Sequence, residues 1–345
     1  MRQPPRGIDI GTHQDTFLVC AVVTIIVIRL QLWYTDYPQL GGGGLHIAHL
    51  LYGGAFMVLA IALLISYLGR PRRLPSAVLA GVGFGFFIDE TGKFVTEDND
   101  YFFQPTAAII YVVFILLFFG LRHIRTRRGF TQREYLMNAI DLFGDAAGGR
   151  GLSEHDKARA LDLLERARDE PLAQPVRDAI EAADAVPTPQ PRGIVRWTRT
   201  ARERYFQATT TSWFRRGLDV AVALWVVVNI ASVLVFGLVP GAELGAVQSG
   251  FDSDELGDLG FVNIASIVSA AVAQCLNVAG LTRLRRDRVG AYKMFERSLF
   301  VTLFVTQVFV FAESSFASAG GMIVTIALLV TVRYMIREEA RRGVA

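Results

Sequence analysis

The chain has 345 residues, 52% of them hydrophobic, and carries 35 Lys and Arg against 32 Asp and Glu. It is too apolar for a water-soluble chain of this length, and its two cysteines exclude a disulfide framework. The slight positive charge gathers in arginine clusters between apolar runs, which points to membrane topology and anionic lipid rather than to nucleic acid.

Eight apolar stretches lie near 16–34, 46–68, 75–91, 105–122, 217–239, 259–281, 298–314 and 319–336, the third and seventh being the shortest. At 1.5 Å per helical residue such stretches cross roughly 30 Å of hydrocarbon. The fold expected is all-α, a polytopic membrane protein of about eight transmembrane helices. Arg2 and Arg6 precede the first stretch, but it is long and no small-x-small site follows, so a cleaved signal is not expected. Arg70, Arg72 and Arg73 follow the second stretch, and Arg122, Arg125, Arg127 and Arg128 the fourth. Arg215 and Arg216 precede the fifth; Arg283, Arg285, Arg286 and Arg288 follow the sixth, and Arg337, Arg341 and Arg342 the eighth. If the spans alternate, these all share one side, and the opposite loops hold one basic residue, Lys93. The positive-inside rule then places both termini in the cytoplasm of a cell-membrane protein. Cys20 and Cys275 lie inside spans without metal-ligand spacing and read as buried small hydrophobes.

Within residues 1–122, the first membrane half, polar groups gather at the ends opposite the arginine clusters. Ionisable groups at membrane depth are costly unless paired, hydrated or metal-bound. Arg29, in the outer part of the first span, must snorkel or pair. The flexible run Gly41 to Gly44 leads to His46 and His49, which project from one helix face. Gly53, one turn on, leaves room for a neighbouring helix. Gly81 and Gly85 make a small-x-x-x-small face that lets the third span approach another helix, and they bring Asp89 to that contact. Asp89, Glu90 and Lys93 close the span; Lys93 can pair with either carboxylate. Arg29 is expected to reach Asp89 or Glu90. Asp98 and Asp100 alternate around Asn99 as calcium ligands do, but the Gly and terminal Glu of an EF-hand are missing, and a solvated loop is the alternative. Tyr101, Phe102 and Phe103 fit an aromatic belt, with Pro105 in the first turn of the fourth span.

Residues 123–216 read as a cytoplasmic helical insert. Thr131 and Glu134 form a capping box before the apolar stripe Tyr135, Leu136, Ala139, Ile140, Leu142 and Phe143. Ser153 opens a second helix and Pro175 a third. Large apolar residues are too few for a robust independent core, so the insert is expected to pack on the membrane domain, a partner or a second copy. After a stiff linker at Pro187, Pro189 and Pro191, an apolar stripe of Ile194, Trp197, Ala201, Tyr205 and Ala208 runs among arginines from Arg192 to Arg204. It is expected to lie on the anionic inner leaflet, or else to dock on the insert.

Residues 217–345 form the second membrane half. His46-Ile47-Ala48-His49 resembles Asn263-Ile264-Ala265-Ser266 in register, and Glu313 ends its span roughly as Asp89 and Glu90 end theirs. A parallel four-plus-four repeat would place the chemistry in the first half, since the second lacks both histidines.

The run Phe87-Ile88-Asp89-Glu90-Thr91-Gly92-Lys93-Phe94-Val95-Thr96-Glu97-Asp98-Asn99-Asp100-Tyr101-Phe102-Phe103 resembles a motif in a family of bacterial multi-pass membrane proteins of unknown function, with His46-x-x-His49 as its upstream element. The likeness covers about residues 40–120 and implies no activity. A looser likeness to seven-span metal-dependent lipid amidases lacks their additional His-x-x-x-His pair.

The function expected first is a cation- or proton-binding site in a transporter or channel. His46, His49, Asp89 and Glu90 would bind the ion, with Arg29 and Lys93 setting the charge balance. Imidazole ordinarily titrates near pH 6–7, which would make binding pH-dependent. The alternative is a metal-dependent hydrolase acting on outer-leaflet lipid. There His46 and His49 with Asp89 or Glu90 would hold a divalent metal such as zinc that activates water, and the second carboxylate would act as general base. A third reading is a non-catalytic assembly or sensor subunit, whose insert would meet a cytoplasmic partner or a second copy.

Overall fold

The structure, a computed structural model, describes residues 4–35, 49–91, 105–145, 151–187, 261–284, 286–314 and 319–342, with a few isolated positions elsewhere. Among these residues it is helical, apart from one parallel pair of two-residue strands. Six helical stretches are long and apolar enough to cross a membrane: Ile10–Leu32, His49–Ser66, Thr106–Thr126, Ala265–Arg283, Arg288–Ala312 and Ala319–Ile336. The chain is a multi-pass membrane protein.

That number is smaller than the eight expected, for two reasons. The expected third span is a helix of 17 residues, Arg73–Asp89, about 26 Å long and at the lower limit for crossing the hydrocarbon core. The expected fifth span, 217–239, lies outside the described residues but for four isolated helical positions.

By contacts the chain divides into two compact units. The first holds α1 (Ile10–Tyr34), α2 (His49–Ser66), α3 (Arg73–Asp89), the C-terminal part of α4 (Thr106–Thr126), and the insert helices α5 (Gln132–Asp145), α6 (Glu154–Arg166) and α7 (Ala173–Ala182). Strands β1 (Leu152–Ser153) and β2 (Ala185–Val186) close the insert.

In α2, and in α1 apart from the buried Ile25 and Ile28, the usual soluble pattern is inverted. Small residues such as Ala21, Gly53 and Ala60 are buried, while Val19, Val23, Val27, Leu30, Leu51, Val58, Ile61 and Ile65 point outward. Lipid tails solvate large aliphatic groups as well as a protein core does, so close backbone approach at small residues becomes the main packing device. After α2 the chain reverses at Gly69, whose φ of 91° is left-handed and suits glycine. A 3₁₀ turn over Arg70–Arg72 with Pro71 in its first turn then leads into α3.

Alpha-5 starts at the capping box read from the sequence. Glu134 N–H donates to Thr131 Oγ1 at 3.2 Å, and Thr131 N–H donates to Glu134 Oε2 at 2.9 Å. Ser153 caps α6 by accepting from Asp156 N–H at 3.0 Å. Pro175 sits in the first turn of α7, where its missing N–H is not needed. Leu136, Leu142, Leu152, Leu163, Leu164 and Ile180 form the insert core, against which Ile8 of the N-terminal segment packs.

The second unit holds the N-terminal part of α4, α8 (Phe261–Arg283), α9 (Arg288–Val301), α10 (Gln307–Ser314) and α11 (Ala319–Arg342). Alpha-9 and α10 are joined by a π-helical turn, Thr302–Thr306, so the expected short span 298–314 belongs to a longer helical run. Tyr292, Phe295, Leu299, Val332 and Met335 are its buried core. A π turn leaves a carbonyl without its usual donor, and here the Tyr111 hydroxyl of α4 donates to the Leu303 carbonyl. Asn277 of α8 is fully buried and donates to Gln274 Oε1 at 3.1 Å.

Candidate functional site

Alpha-3 lies against both α1 and α2 and brings a different glycine set to each. Toward α1, a Cβ on Gly81 would collide with the Phe17 carbonyl, and one on Gly85 would stand 2.6 Å from the Ala21 carbonyl. Toward α2, Gly83 and Gly53 meet backbone to backbone, each Cβ position lying 2.7 Å from the other's carbonyl. Gly81 and Gly85 were legible as a packing face; Gly83, between them in sequence, serves the other neighbour.

The same division carries the two carboxylates apart. Asp89 continues the Gly81–Gly85 row by one turn and meets α1. Arg29 Nε donates to Asp89 Oδ1 at 2.7 Å, and Arg29 Nη2 to the Asp89 carbonyl at 3.2 Å. The pairing expected of Arg29 is therefore present, with Asp89 as the partner. Glu90, next in sequence, turns toward α2 and accepts the His49 backbone N–H on Oε1 at 2.7 Å. It thus satisfies one of the amide groups that open α2. His49 Nδ1 stands 3.7 Å from the same oxygen. Both carboxylates are out of solvent, with Asp89 at 0% and Glu90 at 1% exposure. Phe86, one turn before Glu90, lies against His49, Tyr52 and Phe56, with ring centroids 6.1 to 6.4 Å apart. The Thr91 hydroxyl donates to the Ile88 carbonyl at 2.6 Å where α3 ends.

Of the expected cluster, the structure brings Arg29 to Asp89 and His49 to Glu90. His46, Lys93, Asp98 and Asp100 lie outside the described residues, as do Arg192 to Arg204. Among the described residues no three His, Cys, Asp or Glu side chains are grouped to hold a metal ion. Asp89 and Glu90 together with His49 supply two carboxylates and one imidazole, but the carboxylates face different helices.

A second charged constellation was not anticipated. Arg6 donates from Nε to Glu134 Oε1 at 3.1 Å, from its backbone N–H to the same oxygen at 3.0 Å, and from Nη1 to the Arg125 carbonyl at 2.9 Å. Arg128 adds an ion pair to Glu134 at 2.8 Å. The Asn138 amide clamps the N-terminal segment, donating to the Arg6 carbonyl at 2.9 Å and accepting from Ile8 N–H at 2.7 Å. Burial alone would raise the Glu134 carboxyl, but Arg6 and the backbone N–H groups of Thr131 and Arg6 outweigh it and hold it at about 2. Asp9 takes Arg159 at 2.6 Å and Arg70 at 2.5 Å. Burial again opposes, and the two guanidinium groups more than reverse it, so the Asp9 carboxyl sits below its usual range. Arg73 holds Asp141, and Arg125 holds Asp15. The arginine clusters were visible in the sequence, as was the capping glutamate. Apart from Arg128 with Glu134, the pairings join residues 61 to 150 positions apart, and no local spacing encodes them.

No family model matches the chain, and neither a curated protein nor a solved structure does.

Proposed function

We propose that this multi-pass membrane protein binds a proton or a small cation at the Glu90–His49 pair, as part of a transport or channel activity. One observation carries the reading: the buried Glu90 carboxylate accepts the His49 backbone N–H on Oε1 at 2.7 Å and stands 3.7 Å from the His49 imidazole, at the start of a helix. The Glu90 carboxylate and the His49 imidazole offer an oxygen and a nitrogen to one proton or small cation. His46, Lys93, Asp98 and Asp100, outside the described residues, stay candidates for the same site on the sequence pattern alone.

The finer topology belongs to the same proposal. Eight spans, with the insert and both termini cytoplasmic, agree with the arginine pattern and put Glu90 at the outer face. The likeness of residues 87–103 to a bacterial membrane-protein motif is a proposal of kinship and brings no activity.

The test is proton or cation flux in sealed proteoliposomes, read with a trapped pH dye under an imposed potential. Wild-type protein should give flux that Glu90→Gln abolishes and His49→Ala shifts in pH dependence. If the wild type and Glu90→Gln both match empty liposomes while remaining folded, the pair is an interhelical fastener, and the assembly reading takes its place.

A further inference from the structure

The arginines that close α2 and α4 are those that positive-inside patterning puts at headgroup depth. In the structure the guanidinium groups of Arg70, Arg73, Arg125 and Arg128 rest on carboxylates of the same chain. Arg73, the first residue of α3, grips Asp141 of α5 with both Nη atoms, at 2.7 and 3.0 Å. Arg70 lies between Asp9 and Asp156 of α6, the latter at 3.7 Å. Alpha-5 and α6 share the insert core, so Asp141 and Asp156 are two arms of one body.

These pairs are unlike the Arg6–Glu134 pair. Glu134 is 2% exposed and Arg6 9%, and Glu134 is bonded on several sides. Breaking such a pair strands a buried charge. Arg73 and Asp141 are 40% and 28% exposed, so water and salt reach them and the pair is weak. The insert therefore has a firm tether, through Arg6 and Glu134, and a more exposed contact at Arg73, beside which Arg70, 19% exposed, is shared between Asp9 at 2.5 Å and Asp156 at 3.7 Å. A guanidinium takes phosphate oxygens in the same fork geometry that it offers a carboxylate.

We propose that Arg70 and Arg73 are a lipid-sensitive clasp, in which the phosphate headgroups of an anionic leaflet compete with Asp141 for Arg73 and with Asp9 and Asp156 for Arg70. Docking of the insert on the α2–α3 turn then reports the anionic lipid content of that leaflet. The inference needs this turn to lie at a headgroup layer; which side of the cell that layer faces does not enter, and the outer-end proton site plays no part.

The experiment places spin labels on full-length protein at Leu68→Cys and Ala158→Cys, both exposed positions, after replacing Cys20 and Cys275 by alanine. Distance distributions are recorded in nanodiscs of phosphatidylcholine and of equal parts phosphatidylcholine and phosphatidylglycerol. Both leaflets carry the anionic lipid, so orientation is not a variable. In phosphatidylcholine we expect one short, narrow population. In the mixed disc its ratio to a longer, broader one should fall by roughly fivefold, as expected for releasing two partly exposed pairs. Asp141→Asn should shift phosphatidylcholine discs the same way, and Arg70→Gln/Arg73→Gln should erase the difference between lipids. Identical distributions in the two discs overturn the proposal, as does a lipid response that survives loss of both arginines. Opening by inorganic phosphate alone, at matched ionic strength, overturns the assignment of the competitor to the bilayer.

Discussion

Arg29 Nε lies 2.7 Å from Asp89 Oδ1, joining the C-terminal part of α1 to the last residue of α3 through a carboxylate with no solvent exposure. Removing only the cation takes the Arg29 ion pair from that carboxylate, and breaking a buried pair typically costs about 3–5 kcal/mol. Arg29→Ala should therefore lower the melting midpoint of the purified protein sharply. Removing both charges, in Arg29→Leu/Asp89→Leu, should recover most of the loss. A double variant no more stable than the single would show that the pair is not a closed electrostatic unit.

Glycines in this protein divide by what they touch. Gly85→Ala puts a methyl group 2.6 Å from the Ala21 carbonyl, so α1 and α3 must separate. Overpacking of this kind costs on the order of 1–3 kcal/mol. Gly120 in α4 has open space at its Cβ position. Gly120→Ala should be neutral or stabilising by up to about 1 kcal/mol, since glycine is a poor helix former. Paired thermal melts check both, and equal effects would contradict the packing assigned to α3.

Acid should loosen the insert. The Glu134 carboxyl is held at about 2 in the folded protein against an ordinary 4.5. A depressed carboxyl stabilises above its unfolded value, so the contribution is complete above about pH 4.5 and disappears as pH falls through about 2. The shift corresponds to on the order of 3 kcal/mol. Asp9 acts in the same direction. The melting midpoint should fall across this window in wild type and fall less steeply in Glu134→Gln, whose midpoint at neutral pH is already lower. An unchanged slope would remove Glu134 from the acid response.

The π turn depends on a donor from another helix. Tyr111→Phe keeps the ring contact with Phe311, whose centroid is 4.9 Å away, but removes the hydroxyl that serves the Leu303 carbonyl. The expected loss is about 1–2 kcal/mol, with faster amide exchange confined to residues 302–307. Unchanged exchange there would mean that the turn is fixed by packing alone.

Periodicity and length were enough to establish a helical membrane protein, because an apolar run of some twenty residues has few other stable states. Local chemistry was equally legible: the Thr131–Glu134 capping box, the Ser153 cap and the Gly81–Gly85 face are each set by residues within one or two helical turns. Arg29 could be assigned a carboxylate partner from the same logic, since a charge in a span must be paired. The choice between Asp89 and Glu90 could not, because it follows from which side of α3 each neighbour occupies. That placement is tertiary. So is the use of Arg70, Arg73 and Arg125, which the sequence presents only as a charge bias and the folded chain commits to Asp9, Asp141, Asp156 and Asp15. Charge patterns fix where a side chain can be stable, whereas a specific ion pair needs two groups from distant segments held a few ångströms apart, and only the packed helices supply that distance.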